Sequence, residues 1–354
     1  MKHKIITFTF IGYIILFSML HIIIPDQKIS KSERRELSSF PKVELSNEYI
    51  TKVDKYLTEH FPFREKFRTI KATLNYHAFK RLENNNIYLK DNAIYKSNYP
   101  TNKNSVTNLL DKTNKLKQLL KSQNHVYFML IPDKNYYLKD SNFLHIDYDY
   151  IYQEIEKINL ETIDIREIME LSDYYETDTH WRQEKLDKVV KKMSRQINFN
   201  FLEVDYVSND YHQFYGVYYG ESAWNRPPEV LTYKTNKILQ EAKVKYLENE
   251  QLNSIYNLEK LNSLDAYEVY LDGASSFIEI TNPNSKNDRE LVIFRDSFAS
   301  SLTPLLVPYY KKITLIDNRY ISSNHYSALI EFKNQDVIFM YSTLIANNSF
   351  SLKG

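Results

Sequence analysis

The feature that most constrains this 354-residue chain lies at its start. From Ile5 to Ile24 the sequence is apolar, interrupted by Thr7, Thr9, Gly12, Ser18 and His21. About 20 residues at 1.5 Å each span a bilayer's hydrocarbon core. Such a run is either removed as a leader or kept in a membrane. Lys2 and Lys4 precede it, as in a signal sequence, but it closes on Ile22-Ile23-Ile24-Pro25 with no small-x-small cleavage site. An uncleaved signal anchor over residues 1–24 is therefore expected. Lys28, Lys31, Arg34 and Arg35 just beyond the span weaken the positive-inside count. A long following domain translocates largely regardless of such charges, so the bulk of the chain is placed outside the cytoplasm.

The remainder divides into two stretches of different pattern. Residues 25–95 are expected to form a tether and helical stem. Ser46 stands at a cap position before Ile50, Val53 and Leu57, which share one helix face, and Pro62 ends that helix. Phe63, Phe67, Ile70 and Leu74 give a second amphipathic helix. Residues 96–354 are expected to form one further domain. A helix from about Ser105 carries Val106, Leu109, Leu116 and Leu120, and Val126–Ile131 is a buried strand stopped by Pro132. Ile151, Ile155 and Ile158 mark a helix, Thr162–Ile165 a strand, and Trp181 the start of a helix bearing Leu186, Val189, Val190, Met193 and Ile197. Leu291–Phe294, Ile313–Ile316 and Val337–Tyr341 read as strands, with a helix over Phe298–Tyr310. Strands alternating with helices make an α/β sheet covered on both faces. Residues 200–285, richer in Tyr and Asn, show no period that places their elements.

Composition narrows the chemistry. Lys+Arg at 46 against Asp+Glu at 45 leaves a formal charge of +1, and no basic patch interleaved with aromatics points to nucleic acid. Without cysteine there is no disulfide and no thiol nucleophile. The five glycines form neither G-x-G-x-x-G nor G-x-x-x-x-G-K, so no nucleotide cofactor is expected. Thirty tyrosines suit a surface that meets sugars, or equally a biased genome.

Two short segments carry the chemistry. In Leu291-Val292-Ile293-Phe294-Arg295-Asp296-Ser297-Phe298 a buried strand runs straight into a helix. Ser297 then sits at the carboxyl edge of a sheet, where open α/β folds bind ligands, with its own N–H at a helix N-terminus. The plainer reading is that Asp296 or Ser297 merely caps that helix. In Glu176-Thr177-Asp178-Thr179-His180-Trp181 an imidazole lies two residues from a carboxylate. A serine nucleophile needs such a base, and the base needs such an orienting group. Trp181 would pack against the ring. The alternatives are a polar loop before a helix, or a metal held by Glu176, Asp178 and His180. No partner histidine stands at ligand spacing, so no metal is expected. Gly216 and Gly220 fall close together in a glycine-poor chain. The Gly216 N–H would supply a second oxyanion donor, or the pair would simply mark a turn.

Thr177-Asp178-Thr179-His180-Trp181, followed 117 positions after His180 by Ser297 in Arg295-Asp296-Ser297-Phe298, resembles the SGNH-hydrolase-like alginate O-acetyltransferases and their DHHW relatives. Phe61-Pro62-Phe63-Arg64, Ile131-Pro132-Asp133-Lys134 and Ile316-Asp317-Asn318-Arg319-Tyr320 add to the likeness. Thr179 stands where the DHHW group has the first of its two histidines, as in the alginate branch, and Arg295 where many SGNH enzymes have Gly. The resemblance implies a flavodoxin-like, three-layer SGNH domain with Ser last in the triad order rather than first. It implies Ser297 as nucleophile, His180 as base and Asp178 as orienter, with Gly216, Trp181, Arg295 and Lys134 as candidate oxyanion or substrate contacts. It further implies an extracytoplasmic O-acetyltransferase that modifies polysaccharide hydroxyls. A multi-spanning membrane O-acyltransferase would supply the acetyl group. A carbohydrate esterase with the same triad and a non-catalytic polysaccharide-binding scaffold are the rival expectations. The Tyr-rich Asp210–Tyr219 stretch, with Trp224 beyond it, is the expected acceptor platform.

Overall fold

The computed structural model describes residues 2–353 apart from Lys31, Leu82, Asn85, Asn92 and residues 140–142. These residues form two compact units, Met1–Leu89 with Val217–Pro227, and Lys90–Gly216 with Pro228–Gly354.

The first unit is built around helices α1 (Lys2–Ile23), α2 (Asn47–Glu59) and α3 (Arg64–Thr73). Among the described residues α1 is the one helix long and apolar enough to cross a membrane. Ser46 caps α2, its hydroxyl oxygen accepting from the Tyr49 N–H at 3.2 Å, which satisfies a donor the helix itself cannot. Glu59 closes α2 onto the tether by accepting from the Ser38 N–H at 2.6 Å and from Arg35 at 2.7 Å.

The second unit is a mixed α/β fold. Its helices are α4 (Lys103–Lys117), α5 (Tyr148–Glu156), α6 (Asp187–Ile197) and α7 (Phe298–Leu306). Its strands are β1 (His125–Ile131), β2 (Glu161–Thr162), β3 (Val207–Phe214), β4 (Glu229–Thr235), β5 (Lys243–Tyr246), β6 (Asn249–Asn253), β7 (Phe277–Thr281), β8 (Glu290–Arg295), β9 (Lys312–Ile316) and β10 (Asp336–Ser342). Among the described residues eight strands join in the order β6-β5-β7-β9-β8-β10-β1-β2. The run from β9 to β2 is parallel, and β7, β5 and β6 extend it antiparallel. β3 and β4 pair separately.

Alternation along the strands explains the layering, because successive side chains point to opposite faces. Met129, Ile293, Leu315 and Met340 face one way and pack with residues of α6 and α7. Phe128, Phe294, Phe339 and Tyr341 face the other way and pack with residues of α4 and α5. The parallel register sets Phe294 beside Phe339 and Phe339 beside Phe128, the first pair stacked at 4.7 Å between centroids. Each such ring taken out of water contributes roughly 1.5–3 kcal/mol.

Strand order positions the site. From β8 the chain crosses to β9 on one side, then returns to β10 on the other. The order therefore reverses at the carboxyl end of β8, and such a switch point opens a crevice. Ser297 follows β8 directly.

Two sequence expectations shift. Trp181 does not begin a helix: it makes an isolated bridge with Tyr174, a turn at Gln183–Lys185 follows, and α6 starts at Asp187. The Thr162–Ile165 strand shortens to the edge pair Glu161–Thr162, and Ile163 and Ile165 beyond it are buried in the core. Residues 200–285, unreadable from the sequence, supply the β3–β4 ribbon and the antiparallel edge of the sheet.

Candidate active site

From Leu291 to Tyr310 every residue is buried except Ser297. Its exposure follows from who caps α7. Asp296, itself buried, accepts from the Phe298 N–H at 3.0 Å and from the Ser342 N–H of β10 at 2.7 Å. Asp296 thus takes the capping bond and ties the turn to the neighbouring strand. Ser297 makes no side-chain cap bond. Its hydroxyl instead lies 2.8 Å from His180 Nε2.

His180 Nδ1 lies 2.6 Å from Asp178 Oδ1, and the same oxygen accepts from the His180 backbone N–H at 3.0 Å. An ionised carboxylate only accepts, so Nδ1 carries the hydrogen and Nε2 accepts the hydrogen bond from the Ser297 hydroxyl. Asp178 is buried and His180 half-buried. The imidazole stacks on the Tyr267 ring, with centroids 4.0 Å apart and planes 9° from parallel. The Tyr267 hydroxyl donates to Ser301 Oγ at 2.8 Å, which anchors that plate to α7. Burial raises the Tyr267 phenol well above its ordinary range and keeps it neutral.

The segment carrying Asp178 and His180 has little regular structure and is held by side chains from elsewhere. Trp181 Nε1 donates to the Phe298 carbonyl at 3.0 Å and to Ser301 Oγ at 2.9 Å, and Gln183 donates to the Ser301 carbonyl at 2.7 Å. The Glu229 carboxylate accepts from the N–H groups of Glu176 and Thr177, both at 2.7 Å, and from Arg182 at 2.7 Å. On the carbonyl side, buried Lys134 donates to Tyr175 O at 3.1 Å and Glu176 O at 3.0 Å. Burial pushes the Lys134 ammonium down to about 7 against the pull of Glu229, Asp178, Asp133 and Glu176.

The structure brings Ser297, His180 and Asp178 into one hydrogen-bonded series. It distributes the other sequence candidates around them. The Gly216 N–H donates to Thr177 Oγ1 at 3.0 Å, and a Cβ at Gly216 would meet the Thr177 carbonyl oxygen at 2.2 Å. Glycine there permits the backbone to close on the Asp178 segment, and its N–H is committed to that contact rather than to an oxyanion. Arg295 turns inward, donating to Ser300 Oγ at 2.7 Å and to the Ser275 carbonyl at 3.3 Å. Trp181 is fully buried and ties the histidine to α7. Lys134 supports the Asp178 segment from behind. Trp224 falls in the first unit, against Tyr76 and His77, whereas Asp210–Phe214 is strand β3 of the second. Glu229 and Tyr267 escaped sequence reading because both lie in the stretch without a usable period.

A hydroxyl, an imidazole and a buried carboxylate in series at the switch point of an α/β sheet define a protein with a serine–histidine–aspartate relay. The chain belongs to the DHHW protein family, whose model matches residues 83–316. The Asp-x-His-Trp segment is present as Asp178-Thr179-His180-Trp181. Two solved structures share the fold. One is a DHHW family protein from Eubacterium siraeum, 18% identical over 77% of this chain and 97% of that one, with a TM-score of 0.58. The other is Bacillus cereus PatB1 with a sulfonyl adduct, 20% identical over 76% of this chain and all of that one, with a TM-score of 0.60. No curated protein sequence matches the chain.

Proposed function

We propose that this chain is a membrane-anchored, extracytoplasmic serine O-acyltransferase of SGNH type with reversed triad order, which acetylates hydroxyls of an exopolysaccharide or cell-wall polysaccharide. The observation that carries the reading is the unbroken series Ser297 Oγ, His180 Nε2, His180 Nδ1, Asp178 Oδ1, with spacings of 2.8 Å and 2.6 Å at its two hydrogen bonds. In the first step His180 Nε2 takes the Ser297 proton as Oγ attacks the acyl carbon of the donor. The tetrahedral adduct collapses, the donor's leaving oxygen takes that proton back from His180, and acetyl-Ser297 remains. In the second step a sugar hydroxyl gives its proton to His180, its oxygen attacks the acyl carbon, and Ser297 leaves with the proton returned. Asp178 holds the ring in the required tautomer throughout. The Ser297 N–H at the start of α7 faces the charge that develops on the carbonyl oxygen.

Membership of the DHHW family and helix α1 support the setting. With α1 in the bilayer, a multi-spanning O-acyltransferase is the natural source of acetyl groups, and no cofactor enters the scheme. Transfer and hydrolysis share acetyl-Ser297 and differ in whether a sugar or water attacks it. Good orientation of the acceptor gives effective molarities that outcompete water. The test supplies an activated acetyl ester with and without candidate oligosaccharides. Acetylated oligosaccharide is expected. Free acetate as the sole product, with pre-acetylated polymer stripped instead, would establish a carbohydrate esterase. Polymer binding without turnover would establish a scaffold.

A further inference from the structure

The two stem helices bury the wrong side. The sequence gives each an apolar stripe that should face a protein core. In the first unit Ile50, Leu57, Phe61, Phe63, Phe67 and Ile70 are instead between 37% and 68% exposed. The side of α2 turned into the unit carries Tyr56, whose hydroxyl donates to Asp26 at 2.7 Å, and Glu59. A groove of about 510 Å³ opens on the same surface, lined by Leu57, Phe61, Phe67 and Ala223 together with Arg64, Arg68 and Lys71. An apolar stretch of this extent on a soluble face marks a contact with a partner or a lipid.

Helix α1 decides between them. Its Phe17 stacks on Phe61, with centroids 5.2 Å apart and planes 6° from parallel, and lies 6.0 Å from Phe67. The 22 residues of α1 rise about 33 Å, so nearly the whole helix is needed to cross a hydrocarbon core of about 30 Å. Phe17 stands six residues before its last residue, about 9 Å below that end. A bilayer around α1 therefore reaches the level of Phe61 and Phe67. At that level the helices present aromatic and aliphatic side chains, and the flanking Arg64 and Arg68 are neutralised by ion pairs with Glu33 and Glu65. Lys66, with its ammonium 5.6 Å from the Phe63 ring centroid, can lay its stem along the apolar surface and reach headgroup level.

We propose that the stem is a membrane-interface module: the α2–α3 apolar face sits among the acyl chains of the leaflet that α1 leaves, with the groove's Arg64, Arg68 and Lys71 reaching headgroup level. This rests on α1 spanning the bilayer, not on the transfer chemistry. The chain has no cysteine, so single substitutions at exposed positions carry a nitroxide without background. Full-length protein labelled at Phe63→Cys, Ile70→Cys, Leu16→Cys or Lys55→Cys is reconstituted into nanodiscs at one copy per disc. Accessibility to oxygen, which concentrates in lipid, is compared with accessibility to a water-soluble nickel chelate. Labels at positions 16, 63 and 70 are expected to lose the nickel effect seen at 55 and to gain the oxygen effect. Nickel-accessible labels at 63 and 70 beside a lipid-buried label at 16 would overturn the proposal and leave the anchor standing. A nickel-accessible label at 16 would overturn both. Labels at 63 and 70 shielded from both reagents, with dipolar broadening once copies share a membrane, would replace lipid by a second copy of the chain.

Discussion

The two halves of the relay are held in opposite ways. Ser297 is placed by contiguous residues: a buried strand, a capping aspartate and a nine-residue helix, all within Glu290–Leu306. Asp178 and His180 sit on a segment with one isolated bridge, and its geometry comes from Glu229, Lys134, Gly216 and Tyr267, which lie tens of residues away. A local signal fixes Ser297, whereas tertiary contacts fix Asp178 and His180. Damage should accordingly be all-or-none at the first and graded at the second.

The largest expected effect is at the relay itself. Ser297→Ala is expected to lower acyl-transfer kcat by on the order of 10⁶-fold, and Asp178→Ala by about 10⁴-fold. Because Ser297 makes no capping bond, Ser297→Ala should leave unfolding free energy within about 0.5 kcal/mol of wild type in a urea titration. Asp296→Ala, which strands two buried N–H groups, should lose about 1–3 kcal/mol in the same titration. Equal losses would mean that Ser297 shares the cap and that the two roles are not divided.

Next come the remote supports. Glu229→Ala releases the Glu176 and Thr177 N–H groups and removes the Arg182 ion pair, and a misplacement of about 1 Å costs on the order of 10²-fold in kcat. Glu229→Gln retains one acceptor and should lose less. If Glu229→Ala transfers acetyl at the wild-type rate, the base segment holds itself and the contrast with the Ser297 turn fails.

The last expected effect is a pH dependence of stability rather than a loss of activity. The Lys134 ammonium is pushed down to about 7 in the folded protein from an ordinary 10.5, by burial. Between these values the unfolded chain binds more protons than the folded one, so stability rises with pH across that window and is level below it. Lys134→Met should remove this slope, and the stability difference, wild type minus variant, should grow from pH 7 to pH 10. A difference that is flat or shrinks with pH would show that Lys134 stays charged at its two carbonyls.

What the sequence disclosed follows the same division. β1, β8, β9 and β10 were readable because parallel strands buried on both faces are near-continuous apolar runs. Ser297 was readable because its strand runs into a helix without a loop, and Asp178 with His180 because they sit two apart beside Trp181. The support around them was not readable. Glu229 opens a ribbon in a stretch with no apolar period, and nothing local distinguishes its carboxylate from a solvated one. Gly216 was noticed for its rarity, but that it packs against Thr177 is a tertiary fact. The identity of the capping residue was ambiguous until Asp296 was seen to reach both Phe298 and Ser342.

The central claim is that Ser297 becomes acylated through His180. The direct measurement treats the full-length protein with an activated acetyl ester or a sulfonyl fluoride, then maps the modified peptide by mass spectrometry in wild type, Ser297→Ala and His180→Ala. One modified residue is expected, Ser297, with the modification absent in Ser297→Ala and reduced by orders of magnitude in His180→Ala. Modification at the wild-type rate in Ser297→Ala, or at Ser297 undiminished by loss of His180, would contradict it.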